Sequence, residues 1–168
     1  MPSSSLVPPH GAPELCPLLV DPTARPAALE QAKRLRRIHV SSREAGDLIM
    51  LGIGGFTPLR GFMGQADWQG VCDRMSLADG TFWPIPITVS TDAATADEIG
   101  HGEAVALVGP DGPDPIAILT VEEKYTVDKA HECRQVYRTT DVDHPGVRMV
   151  MEQGAWNLAG PVRVLSTG

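Results

Sequence analysis

The chain has 168 residues, 42% of them hydrophobic and 21% charged, which excludes a disordered or fibrous protein and suffices for one domain with a real core. Fourteen basic against twenty-one acidic side chains give a net charge of −7, which repels polyanions and makes nucleic acid a poor partner. No apolar run nears the roughly 20 residues that cross a bilayer, and residues 1–9 lack the basic start and apolar stretch of a signal peptide. No membrane partner and a cytoplasmic location are therefore expected. Cys16, Cys72 and Cys133 are odd in number and far apart, without a CxxC pair, and are read as reduced thiols.

Residues 1–25, rich in Pro and Gly from Pro8 onward, predict an extended arm laid over a domain at 26–165. Leu29, Ala32, Leu35 and Ile38 recur at spacings of three and predict a helix, with Lys33 to Arg37 complementing the dipole at its end. Ser41 and Glu44 have capping-box spacing, Val40 and Ala45 stand at the staple positions, and Gly52 can end that second helix. A glycine-rich loop runs to Gly61, and Asp67 is placed to cap a helix burying Trp68, Val71, Cys72 and Met75.

Beyond the Asp79-Gly80 turn the period changes to two. Ile85, Ile87 and Val89 alternate with Pro86, Thr88 and Ser90, as in a strand at an edge or bulge. Ala104 to Val108 and Ile116 to Val121 flank Pro110-Asp111-Gly112 and predict a hairpin. Asp128 to Tyr137 and Val147 to Met151 read as helices, and Val162 to Leu165 as a last strand. The sum is an α+β fold: a small, partly closed β-barrel with inserted short helices.

Candidate chemistry is sparse. Gly52-Ile53-Gly54-Gly55 lacks the Gly-Lys-Ser/Thr of a phosphate loop, and a dinucleotide fingerprint would need glycine where Thr57 stands. His131-x-Cys133 supplies half a zinc site at most. Lys33 to Arg37 has no interleaved aromatic to stack a base. Neither Glu122-Glu123 nor Asp141 and Asp143 beside His144 has a visible nucleophile or orienting partner. Catalytic, cofactor-binding and metal-binding residues are therefore expected to be none.

Gly55-Phe56-Thr57-Pro58-Leu59-Arg60-Gly61-Phe62-Met63 strongly resembles the G-x-F-S-P-L-x-G-F-M signature of ATP sulfurylases (sulfate adenylyltransferases), with Thr57 in place of Ser. Phe82 to Thr88, Glu122 to Tyr125 running on to Asp128-Lys129, and Thr140 to Val147 agree in order, as do Pro9-His10-Gly11 and Gly160-Pro161-Val162. Arg138 departs locally. The resemblance implies the N-terminal PUA-like domain of an enzyme that joins sulfate to the α-phosphate of ATP, forming adenosine 5′-phosphosulfate and pyrophosphate.

In that family magnesium-ATP and sulfate sit in a following catalytic domain with Gln-x-Arg-Asn-Pro and His-x-x-His motifs. Here the one asparagine is Asn157, between Trp156 and Leu158, and no two histidines stand three apart. Residues 166–168 are read as the start of a linker to that domain, and the chain as a domain separated at its boundary or a truncation. The expected role is a scaffold for the catalytic domain, in an enzyme that can form a homo-oligomer. Arg60, Phe62, His144 and Arg148 are the candidate contact residues. The alternative from the same fold is a stand-alone RNA-binding module, which the acidic balance opposes.

Overall fold

The computed structural model describes residues 7–166. The proline-rich arm crosses the domain under tight restraint. The Cys16 amide donates to Thr57 Oγ1 at 3.0 Å, and the Leu18 and Leu19 amides donate to the Leu51 and Gly52 carbonyls at 3.1 Å each. The Val20 amide then donates to Val164 O at 2.9 Å.

Helix α1 (Arg25–Ala32) has Pro26 in its first turn, where a missing amide hydrogen is harmless. It stops six residues short of the predicted end: Arg36–His39 is strand β1, parallel to β4 (Ala104–Val108), with Ile38 buried and its neighbours exposed. The three-residue spacing of Leu35 and Ile38 fits either element, and pairing with β4 decides it.

Helix α2 (Ser42–Gly52) carries the predicted capping box, the Ser41 and Glu44 side chains each accepting from the other's amide. The glycine-rich loop closes on strand β2 (Gly61–Phe62). In α3 (Gln65–Arg74) Gly64, not Asp67, is the N-cap, and Asp67 instead accepts from the Ala78 amide at 2.8 Å. Trp68, Val71 and Cys72 are buried as expected, whereas Met75 is left-handed and 47% exposed because the helix ends one residue earlier. The predicted strand from Ile85 is shorter: β3 covers Val89–Thr91, and Ile85 lies outside it, facing solvent.

Asp92 caps α4 (Ala93–Glu98). The predicted hairpin is present as β4 and β5 (Pro115–Thr120), antiparallel with a register shift at Leu107/Val108. Strand β6 (Glu123–Thr126), α5 (Lys129–Val136), α6 (Pro145–Glu152) and β7 (Trp156–Val164) complete the chain.

An imidazole caps α6: His144 Nδ1 accepts from the Gly146 and Val147 amides at 3.1 and 3.4 Å. Removing a cap exposes these donors without a partner. His144→Ala is therefore expected to cost about 1 kcal/mol, and His144→Asn much less. Thermal denaturation of the three proteins checks this, and equal midpoints for wild type and His144→Ala would contradict it.

The strands form one mixed, curled sheet in the order β1-β4-β5-β7-β2, with β3 and β6 also paired to β7. Trp156 to Ala159 of β7 pair with β3 and β6, and Gly160 to Val164 with β2 and β5. The changeover falls at Gly160, whose φ is +143° and where an added Cβ would lie 2.1 Å from Thr120 O. Opposite it, a Cβ on Gly61 would lie 2.0 Å from Gly160 O, so the two backbones meet directly. The main core fills the curl with Leu48, Leu51, Val89, Leu107, Leu119 and Leu158, all 1% exposed or less. Each such side chain contributes roughly 1.5–3 kcal/mol of transfer free energy.

Candidate functional site

A cavity of about 620 Å³ lies between the start of α2, the β3–α4 junction and the end of α6. Glu44, 3% exposed, dominates it. Its Oε2 accepts from the Ser41 amide and hydroxyl, both at 2.7 Å, and its Oε1 from the Ser90 amide and hydroxyl at 2.9 and 3.3 Å. Ser90 Oγ in turn accepts from the Gly154 amide at 3.1 Å. One carboxylate thus ties α2 to β3, and its serine partner ties β3 to the α6–β7 connection. The capping box was visible in sequence, but nothing local signals the bond to Ser90, 46 positions away.

Beside it, Arg43 donates to Asp47 at 2.8 Å and to Thr88 O at 3.1 Å. Burial raises the Asp47 carboxyl to about 6; the Arg43 guanidinium pulls it back only in part, and the Glu44 carboxylate adds to the rise. A folded-state pKa above the unfolded value means that the native state holds the proton more tightly. Stability from this group is full below about pH 4 and is lost as pH rises toward 6. The expected fall is on the order of 2 kcal/mol, and Asp47→Asn should abolish it. Urea denaturation at stepped pH measures both, and a parallel slope in the variant would refute the assignment.

A second buried carboxyl, Glu132, accepts from Trp68 Nε1 at 2.7 Å. Burial raises its pKa, and the indole hydrogen bond opposes this. Burial likewise pushes the Cys72 and Cys133 thiols up, keeping them protonated and poor nucleophiles. His131 and Cys133 do not converge: His131 Nε2 lies 2.7 Å from Asp73 Oδ1, while Cys133 packs with Val147 and Val150. Among the described residues no group of three or more His, Cys, Asp or Glu could hold a metal ion. No helix among them is long and apolar enough to cross a membrane.

The predicted contact residues separate. Phe62 is 3% exposed and packs in the main core, because β2 pairs with β7 and points the ring inward; a direct contact through it is corrected to internal packing. Arg60, His144 and Arg148 are exposed. Arg60 borders a shallow cavity of about 430 Å³ with Glu122 and Glu123, whereas His144 and Arg148 lie on α6 and its cap. The basic run is partly neutralised: Lys33 pairs with Glu30, and Arg36 with Glu98 and Glu103.

A third feature, an apolar groove of about 390 Å³, escaped the sequence reading. His10 of the arm, Phe56, Phe82, Trp83 and Ile85 line it. Phe56 and Trp83 meet edge to face at 5.7 Å, and His10 Nε2 lies 2.7 Å from Phe82 O. Trp83 is 7% exposed, yet its Nε1 has no acceptor among the described residues.

The curled sheet around β7 defines a class of protein. Residues 7–167 match the PUA-like domain, and the chain belongs to that family. Its sequence relatives are narrower in kind. It is 61% identical to the sulfate adenylyltransferase of Psychrobacter cryohalolentis over 169 aligned residues and 57% identical to that of Thiobacillus denitrificans over 165, covering 98% of the chain in each case. The chain spans about 40% of the length of both relatives. Among solved structures, a hexameric APS kinase from Thiobacillus denitrificans matches with a TM-score of 0.70 and 28% identity, over 97% of this chain and 27% of that one.

Proposed function

We propose that this chain is the N-terminal PUA-like domain of a sulfate adenylyltransferase and serves as a scaffold that holds a catalytic domain in place. The observation that carries this is the 61% identity maintained over 98% of the chain while only 40% of the relative is covered. Adenylyl transfer from ATP to sulfate needs several cations arrayed against developing charge, with magnesium on the nucleotide. Those groups belong, in this reading, to the catalytic domain. Arg60 and Arg148 are exposed but stand on separate elements, and Arg36 and Arg43 are engaged by carboxylates. One exposed cation neither orients sulfate nor binds magnesium-ATP.

The chain alone is expected to release no pyrophosphate from ATP, sulfate and magnesium above a heat-denatured control, and to give no calorimetric signal with millimolar ATP. Turnover that survives further purification would place the active site in this domain instead. Submicromolar RNA binding that weakens steeply with salt would favour the RNA-binding module.

A further inference from the structure

The exposed apolar surface is unevenly distributed. Of twelve large hydrophobic side chains exposed among the described residues, three lie on or beside α6; the other nine lie on the arm, the C-terminal half of α2 with its following turn, and segment 75–85. Hydrogen bonds lace these segments together: His10 to Phe82, Cys16 to Thr57, Leu18 to Leu51 and Leu19 to Gly52. Two stretches of the strip, 48–59 and 80–91, contain no charged residue in a chain otherwise rich in them. Depletion of charge with exposed aromatic and methionine side chains marks the centre of an interface, and soluble monomers rarely expose such a patch without use. The groove at Phe56, Phe82 and Ile85 lies within this strip, beside the unpartnered indole N–H of Trp83.

We infer that this strip, centred on the Trp83 groove, is the face on which the remainder of the sulfate adenylyltransferase docks. The inference rests on the scaffold reading and replaces Phe62, and with it the Arg60 and α6 surfaces, as the contact. The described N-terminal end adjoins the strip, while at the other end the Leu165 and Ser166 amides donate to Ile116 O at 2.8 and 3.2 Å. Residues 7–10 lead into the groove, and the Val164 amide donates to Leu18 O at 2.9 Å just before Ser166. The remaining 60% or so of the relatives' length is longer than this chain, and interfaces between domains of one chain bury about 600–1,500 Å². Its contribution at the groove is an apolar side chain seated between Phe82 and Ile85.

The test mixes this chain with the remaining portion of the Thiobacillus denitrificans sulfate adenylyltransferase, made as a separate polypeptide, and measures affinity by calorimetry. Phe82 and Ile85 are 57% and 43% exposed, so Phe82→Ser/Ile85→Ser spares the core; Met149→Ser/Met151→Ser on α6 is the control. Circular dichroism verifies that both variants fold. The groove variant is expected to bind at least about tenfold more weakly, and the control to bind like wild type. Binding unaffected by the groove variant overturns the assigned face and leaves the scaffold reading standing. An unsubstituted chain that does not bind the remaining portion, once circular dichroism shows that portion folded, defeats that reading and the inference with it. Self-association of this chain that Phe82→Ser abolishes would show that a second copy occupies the strip, which also overturns the inference.

Discussion

Gly160→Ala is expected to destabilise the protein by about 4 kcal/mol. Two costs combine. At a φ of +143° a side chain strains the backbone, and the new Cβ would sit 2.1 Å from Thr120 O, in a β5–β7 contact made by main chain on both sides. Relief would require β7 to move away from β5, which gives up the pairing of Leu119 with Val162 and its neighbours. Gly80→Ala serves as the comparison: Gly80 also has positive φ, at +91°, but an added Cβ meets nothing within 4 Å. Its loss should be about 1 kcal/mol. Equilibrium urea unfolding of both variants distinguishes them, and comparable losses would show that the close approach at Gly160 is unimportant.

Glu44→Ala is expected to cost about 3 kcal/mol. The substitution removes the acceptor of four donors at once, the amides and hydroxyls of Ser41 and Ser90. The hydroxyls can turn elsewhere, but the amides cannot; both are part-buried, and an unpaired donor costs up to about 1–3 kcal/mol when buried. Loss of the capping box adds to this at the start of α2. Glu44→Gln keeps one oxygen for one serine and presents an N–H to the other, so its loss should be intermediate. Midpoints of urea denaturation at constant m-value report the differences. A shift for Glu44→Ala below about 1 kcal/mol would mean that Glu44 is a local cap and no tie to β3.

Elements whose causes are local were legible in the sequence. The α2 capping box, the Pro110-Asp111-Gly112 hairpin and helix α5, capped by Asp128, need only a few neighbouring residues to be recognised. Elements that exist because of a distant partner were not. Strand β1 keeps the spacing of a helix and becomes a strand beside β4. Strand β6 carries Glu123 and Lys124 and pairs with β7 despite them. Strand β7 was foreseen only from Val162; its earlier part holds Asn157, Gly160 and Pro161, residue types depleted in strands, and changes partners at Gly160.

The same division holds for the surface. A family signature drew attention to Arg60 and Phe62, but Phe62 is a core residue and Arg60 stands apart from His144 and Arg148. The apolar strip combines residues about 70 positions apart, as His10 and Phe82 show, and no periodicity brings them together. Alternation at Ile85, Ile87 and Val89 even argued for a strand with Ile85 inside. Exposure of Ile85 became evident only once the chain was seen to enter β3 at Val89.

The partner count of β7 bears on how the molecule is made. Four of the other six strands pair with it, and the arm adds a bridge from Leu19 to Val164. During synthesis those strands leave the ribosome before the strand that joins them, so the sheet cannot close until residue 164 has cleared the exit tunnel. Until then β2, β3, β5 and β6 present unpaired edges, which are templates for pairing with other polypeptides.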